Sequence, residues 1–426
     1  MVNRIRKWNA DLWKLLLAFL SIERFQAQPL EVALHQFEGL SQLTVAGGAR
    51  EFQAEHVEDH IQASKMSPTT LLTRHQLWAS VFARQHQTKQ QPDLESYEQA
   101  VQSLDEYYFT QRLIYELEAL TLYPKLQSTS SMPMLYGHPQ PSEGEEQPPL
   151  LAFFQNRITQ WNPLAQICDA LLQASQEEGG GLHFKELIPL LDQHATRLDP
   201  ASVHNLATAC LNLLIRLQNH FPERYREPLL KHYLQFINHG WICVEDQLEE
   251  RHFNNVITLS LQQKLVNIAE ELYESWSSRL LTTDSTACLL FNQGAIWLEK
   301  GALDLAEKTF HQLFQTLDKE DDFLFEVKVR QMLMRVYFLQ GWENFPEFRS
   351  NCQRHIRNRK QLSQARKNRE LKYISILYQL WKWRQSIDVP SREHLDHLRK
   401  QIREQPRPAM WSWLLEQVNE LDAGLS

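Results

Sequence analysis

Four places along the chain carry residue types that support chemistry in other proteins, and the spacing of each limits what it can do here. In "HVEDH", His56 and His60 stand four residues apart. On a helix this puts both imidazoles on one face, a turn apart, which is the spacing of a zinc-ligand pair. A peptidase built this way needs a glutamate directly after the first histidine, where Val57 stands; the reversed arrangement needs one directly before the second, where Asp59 stands. No third ligand is identifiable, so an exposed, charged helix face without metal is expected. His394 and His397 in "HLDHLRK" stand three apart, with Leu395 and Leu398 marking the apolar side of an amphipathic helix. The triple glycine Gly179 to Gly181 follows a helical stretch and lacks the Gly-Lys-Ser/Thr ending of a phosphate loop, so it reads as a joint. Cys168, Cys210, Cys243, Cys288 and Cys352 are odd in number and widely spaced, with no C-x-x-C pair, as expected for buried free thiols in a reducing compartment. Nucleophile-elbow, Walker, Rossmann and cysteine–histidine signatures are all missing. The expectation is a non-enzymatic protein with no catalytic residue, cofactor or metal.

Charge gives a different candidate. From Arg349 to Lys372 nine basic residues (Arg349, Arg354, Arg357, Arg359, Lys360, Arg366, Lys367, Arg369 and Lys372) meet one acid, Glu370, in a chain whose net charge is −8. Trp381, Lys382, Trp383 and Arg384 follow. Such a face can be neutralised by the acidic remainder of the chain, can meet an acidic protein or peptide, or can contact nucleic-acid phosphates. The acidic total argues against a general nucleic-acid binder.

These residues need elements to hold them. Only 13 of 426 residues are glycine, about half the usual share. Sheets joined by tight turns use more, so the chain is expected to be all-α. Helix punctuation recurs. Ser67-Pro68 opens a helix over 69–87, and Asp93 caps one carrying Tyr97, Val101, Leu104, Tyr108, Leu113 and Leu117. Asp199-Pro200 opens another to about Gln218, and Asn219-His220-Phe221-Pro222 turns into a partner ending near Phe236. Between Gln127 and Pro149 five prolines interrupt any helical period. The expected layout is an N-terminal helical unit (1–126), a proline-rich linker or loop (127–149) and a helical array (150–426). Arg4, Arg6 and Lys7 precede the apolar run Leu12 to Leu20, but Lys14 interrupts it, Glu23 and Arg24 close it, and no small-residue cleavage site follows. An amphipathic first helix, no membrane span and a cytoplasmic location are expected.

Within the array, Gly294, Trp297, Gly301, Ala306 and Phe310 fall at offsets 0, 3, 7, 12 and 16. Gly294 and Ala306 would let two helices approach closely, Trp297 and Phe310 would fill the space around that contact, and Gly301 would allow positive φ at the turn. Tyr337 and Gly341 repeat the aromatic–glycine pair forty residues on, with Met334 at the small position and Pro346 at the alanine position. Ala269 and Tyr273 repeat the later pair 37 residues before, where Ile257 replaces the small residue and Lys264 the turn glycine. From Arg251 to Phe348 the pattern resembles the tetratricopeptide repeat. The wider layout, with its "SLDEYYFTQRLIYELEAL" helix (Ser103 to Leu120), also looks like large helical proteins of Bacteroidota, a likeness that implies no activity.

The tetratricopeptide resemblance implies antiparallel hairpins stacked as an α-solenoid whose first helices line a concave face. Carried over position by position, that face holds Arg251, Asn254, Asn255 and Thr258, then Cys288, Phe291, Asn292 and Ala295, then Lys328, Gln331 and Arg335. The lysine–asparagine clamp that some such proteins use for a terminal carboxylate is missing from the best repeat, where Phe291 and Ala295 stand. The expected function is a protein-interaction scaffold that binds a peptide or partner protein, with an acidic one among the candidates. The alternative is a nucleic-acid-associated regulator using residues 349–372.

Overall fold

The structure, a computed structural model, describes residues 65–87, 94–122, 162–176, 183–282, 285–317, 323–404 and 409–424. The N-terminal apolar run, the His56–His60 pair, Asp93, the proline-rich segment and the triple glycine lie outside these residues. The described residues are all-α apart from one two-stranded hairpin. Their contacts divide the chain into two compact units, 1–209 and 210–426, with the division falling inside one helix.

In the first unit, α1 (Pro68–Gln87) packs on α2 (Leu94–Leu122), α2 on α3 (Pro163–Gln176) and α3 on α4 (His183–His194). Helices α2 and α3, which flank the proline-rich segment, therefore belong to one packed body. Ser67 caps α1 as its sequence suggests, Oγ accepting from the Thr70 amide at 3.0 Å. Glu106 of α2, buried, accepts from Arg74 of α1 at 3.2 Å and from Asn162 at 2.9 Å. Asn162 in turn caps α3 through the Ala165 amide at 2.9 Å. One carboxylate thus ties three helices. Met66 pairs as a parallel bridge with Leu198, and Asp199 caps α5 (Pro200–His220) by accepting from the Ala201 and Ser202 amides.

The second unit begins in the latter part of α5 and continues through α6 (Pro222–Asn238). Strands β1 (Cys243–Val244) and β2 (Gln247–Leu248) then form a minimal hairpin, its two turn residues Glu245 and Asp246 both at positive φ. Four helical hairpins follow: α7 (Glu250–Gln262) with α8 (Val266–Trp276), α9 (Thr286–Glu299) with α10 (Leu303–Thr316), α11 (Phe323–Gln340) with α12 (Phe345–Asn358), and α13 (Gln364–Arg384) with α14 (Arg392–Arg403). A last helix, α15 (Ala409–Gly424), packs on α13 and α14.

The four hairpins close in the same way. Lys264, Gly301, Gly341 and Ser386 each take positive φ (61°, 75°, 68° and 55°) just past the first helix. The following amide (Leu265, Ala302, Trp342 or Ile387) reaches back to a carbonyl five residues earlier, at 2.9–3.1 Å. This is the Schellman closure, which satisfies carbonyls a helix end would otherwise strand. Each first helix packs on the next first helix (α7 on α9, α9 on α11, α11 on α13), and each second helix leans on the first helix of the following hairpin (α8 on α9, α10 on α11, α12 on α13). The repetition therefore extends one hairpin past the stretch in which sequence shows it.

The close contact inside the second hairpin differs in one detail from expectation. A Cβ built on Gly294 would lie 2.7 Å from the Phe310 ring, so it is the phenylalanine that seats on the glycine. Ala306 is fully buried one turn away, and Trp297 is only half-buried. In the third hairpin the second helix starts four residues after Gly341 instead of two, with Pro346 in its first turn.

Candidate partner-binding face

The stacked first helices are joined by a ladder of polar side chains. Between α7 and α9, Asn292 donates to Asn254 Oδ1 at 2.5 Å and to the Cys288 carbonyl at 2.9 Å, and it is 1 % exposed. The Cys288 thiol faces the same Asn254 oxygen at 3.5 Å. Between α9 and α11, Arg335 donates to Glu299 at 2.8 Å. Between α11 and α13, Gln331 donates to the buried Glu370. Buried amides and charges persist only when paired, and here each rung pairs across one helix–helix contact.

Helix α15 lies over part of this ladder. Trp411 meets Tyr373 of α13 edge-on, ring centroids 5.8 Å apart. Trp413 meets Phe338 of α11 edge-on at 5.5 Å and takes the Arg335 guanidinium on its face at 4.6 Å. Glu416 reaches Lys264, at the turn of the first hairpin, at 3.1 Å, and that lysine also meets Glu299 at 3.3 Å. Desolvation works against the charge on Lys264, but the two carboxylates outweigh it and lift its pKa above the ordinary lysine value. Trp411, Trp413, Leu414, Gln417 and Val418 are all buried.

The residues expected to face a partner are thus of two kinds. Asn292, Gln331 and Arg335 are buried rungs of the ladder. Asn254 is half-buried and paired with Asn292, while Asn255 turns the other way and donates to Tyr233 of α6 at 2.9 Å. Arg251, paired with Glu249 at 2.5 Å, and Lys328 are exposed, and Thr258 is half-buried. Phe291 meets the Phe310 ring edge-on and the Phe325 ring at a tilt, and Ala295 is buried. Residue type at each helical position could suggest the face, but no local signal announced that α15 would lie on it.

Much of the basic segment is half-buried and paired within the chain. Glu326 of α11, 3 % exposed, is met by Arg330 at 2.9 Å, His355 at 3.0 Å and Arg359 at 2.6 Å. Burial alone would raise the Glu326 pKa, but Arg330, His355 and Arg359 prevail and hold it below the usual carboxylate range. Burial, reinforced by Arg330, holds His355 below its ordinary value, so at neutral pH the guanidiniums supply the countercharge. Arg366 and Arg369 flank buried Glu370 at 3.7 and 3.6 Å, and Arg349 lies on the Tyr378 ring at 4.1 Å. Lys367 donates to the Arg357 carbonyl at 3.0 Å. Arg354, Arg357 and Lys360 remain exposed. Trp381 and Trp383 are buried, Trp381 stacking on Phe345, so neither ring offers a face to a nucleobase.

Among the described residues no cluster of three or more His, Cys, Asp or Glu side chains has metal-binding geometry. His394 instead completes a capping box with Ser391 at the start of α14, and Leu395 and Leu398 are buried on the expected apolar side. All five cysteines are free thiols, four of them buried. No described helix is long and apolar enough to cross a membrane.

No protein-family model matches the chain, and no curated protein or solved structure shows significant similarity to it.

Proposed function

We propose that the second unit is a tetratricopeptide-like, non-enzymatic scaffold that binds a protein or peptide on the face of its stacked first helices. The observation that carries this reading is the fourfold recurrence of one hairpin closure with the first helices packed side by side. Repetition of this kind makes a continuous surface longer than any single hairpin could offer, and such surfaces suit extended peptides or partner helices. The exposed Arg251 and Lys328 on that face favour a partner with acidic residues.

Affinity capture from the source organism tests it, comparing wild type, the double variant Arg251→Glu/Lys328→Glu, and Glu271→Lys on the second helix α8. A partner retained by wild type and by Glu271→Lys but lost by the double variant is expected. Enrichment of nothing, or equal recovery with all three proteins, would sink the reading.

The nucleic-acid alternative draws on less of the basic segment than its composition suggests, because Arg359, Arg366 and Arg369 neutralise buried carboxylates. It rests on Arg354, Arg357 and Lys360. Its test is binding to a fluorescent oligonucleotide that weakens steeply with salt and is lost when these three become glutamine.

A further inference from the structure

Helix α15 is held in a way that separates it from the hairpins beneath. Its charged fastenings sit at the rim: Glu416 with Lys264, and Asp422 with Arg399 of α14 at 2.5 Å, which also donates to Asn419 at 3.1 Å. The Glu416–Lys264 pair is exposed, and exposed ion pairs add little to stability and exchange readily. Its centre is aromatic: Trp411 meets the Tyr373 ring, and Trp413 meets the Phe338 ring and the Arg335 guanidinium, which is paired with Glu299. This centre is also incompletely satisfied. Arg335 Nε and the Tyr373 hydroxyl are both buried and have no hydrogen-bond partner among the described residues. A buried donor left unpaired is costly, so a ligand supplying an acceptor there would bind better than the resident helix does.

We infer that the first-helix face is a helix-binding site and that α15 is its resident, displaceable occupant. The displacing ligand is an amphipathic helix with aromatic residues where Trp411 and Trp413 lie, an acidic residue for Lys264, and a carboxylate or amide oxygen for Arg335 Nε and the Tyr373 hydroxyl. This rests on the scaffold reading and adds regulation to it. A tethered occupant competes at the high effective concentration set by its short connection, so an external helix sees an affinity reduced by the closed fraction.

The test uses the full chain and a fluorescein-labelled peptide of residues 409–424. Trp411→Ala/Trp413→Ala/Glu416→Gln loosens the occupant. The loosened protein should bind the peptide at least tenfold more tightly than wild type, and adding Arg335→Ala or Lys264→Glu should remove that gain. A peptide carrying Glu416→Lys should regain binding to the Lys264→Glu form. A loosened variant that keeps its cooperative melt and binds the peptide no better than wild type overturns the inference. Loss of the unit's cooperative melt overturns it equally, since a displaceable occupant leaves its host folded. Should the peptide bind as expected while capture yields no partner, the scaffold reading fails and the helix site stands.

Discussion

Gly294 is where a single atom matters most. Its α-hydrogen side faces the Phe310 ring so closely that a methyl group would sit 2.7 Å from a ring carbon. Both residues are buried, so neither the ring nor the α9 backbone can move aside without disturbing its neighbours. Gly294→Ala is expected to cost about 1–3 kcal/mol by overpacking, despite alanine's better helix propensity. Phe310→Leu in the same background should recover part of that loss, and a double-mutant cycle read by urea denaturation checks the coupling. Additive losses would mean that the two side chains do not contend for one space.

The turns make the complementary case for elements. Two of the four closures use glycine, where positive φ carries no side-chain penalty, whereas Lys264 and Ser386 bear the strain of a left-handed conformation with a Cβ. Gly301→Ala should therefore destabilise the second hairpin by about 1 kcal/mol. Ser386→Gly, at an exposed position, should be neutral to stabilising by up to about 1 kcal/mol, with thermal melts showing the opposite signs. The same contrast explains what sequence could reveal. Glycine marked the second and third turns, and the Ala269–Tyr273 pair pointed to the first although Lys264 occupies its turn. Ser386 carries no such mark, because a serine in a left-handed turn looks like any other serine, and the fourth hairpin went unseen. The partner face was traceable only as positions. That Arg335 would pair with Glu299, 36 residues away, and be covered by Trp413 depends on tertiary packing that no local period encodes. The short β hairpin likewise rests on two non-glycine residues at positive φ and was missed for that reason.

Among the described residues, the shifted histidines all run one way. His75, His194 and His355 are all held below the ordinary value of 6.5, chiefly by burial. A histidine whose folded pKa is depressed binds fewer protons folded than unfolded, so its contribution is present above pH 6.5 and is lost as pH falls through the folded value. Glu326, also depressed, acts in the same direction at lower pH. Melting temperature should therefore fall between about pH 7.5 and about pH 5, and His355→Gln should flatten that fall. Equal melting temperatures at the two pH values would refute the linkage. Thiol chemistry should show similar restraint. Burial pushes Cys168 and Cys288 up to about 12 and Cys352 to about 11. In the native protein Ellman's reagent should titrate the half-buried Cys243 first, the other four reacting only on denaturation.

The ladder between first helices has rungs of unlike chemistry: amide with amide between α7 and α9, guanidinium with carboxylate between α9 and α11, amide with carboxylate between α11 and α13. Each joint is keyed to its own neighbour. A hairpin copied, deleted or exchanged within this array would change which side chains meet at the new joint, and an arginine brought against an amide would lose the carboxylate that compensates its buried charge. The order of the hairpins is thus written into their joints, and a duplicated hairpin should stack less stably here than in an array of interchangeable repeats.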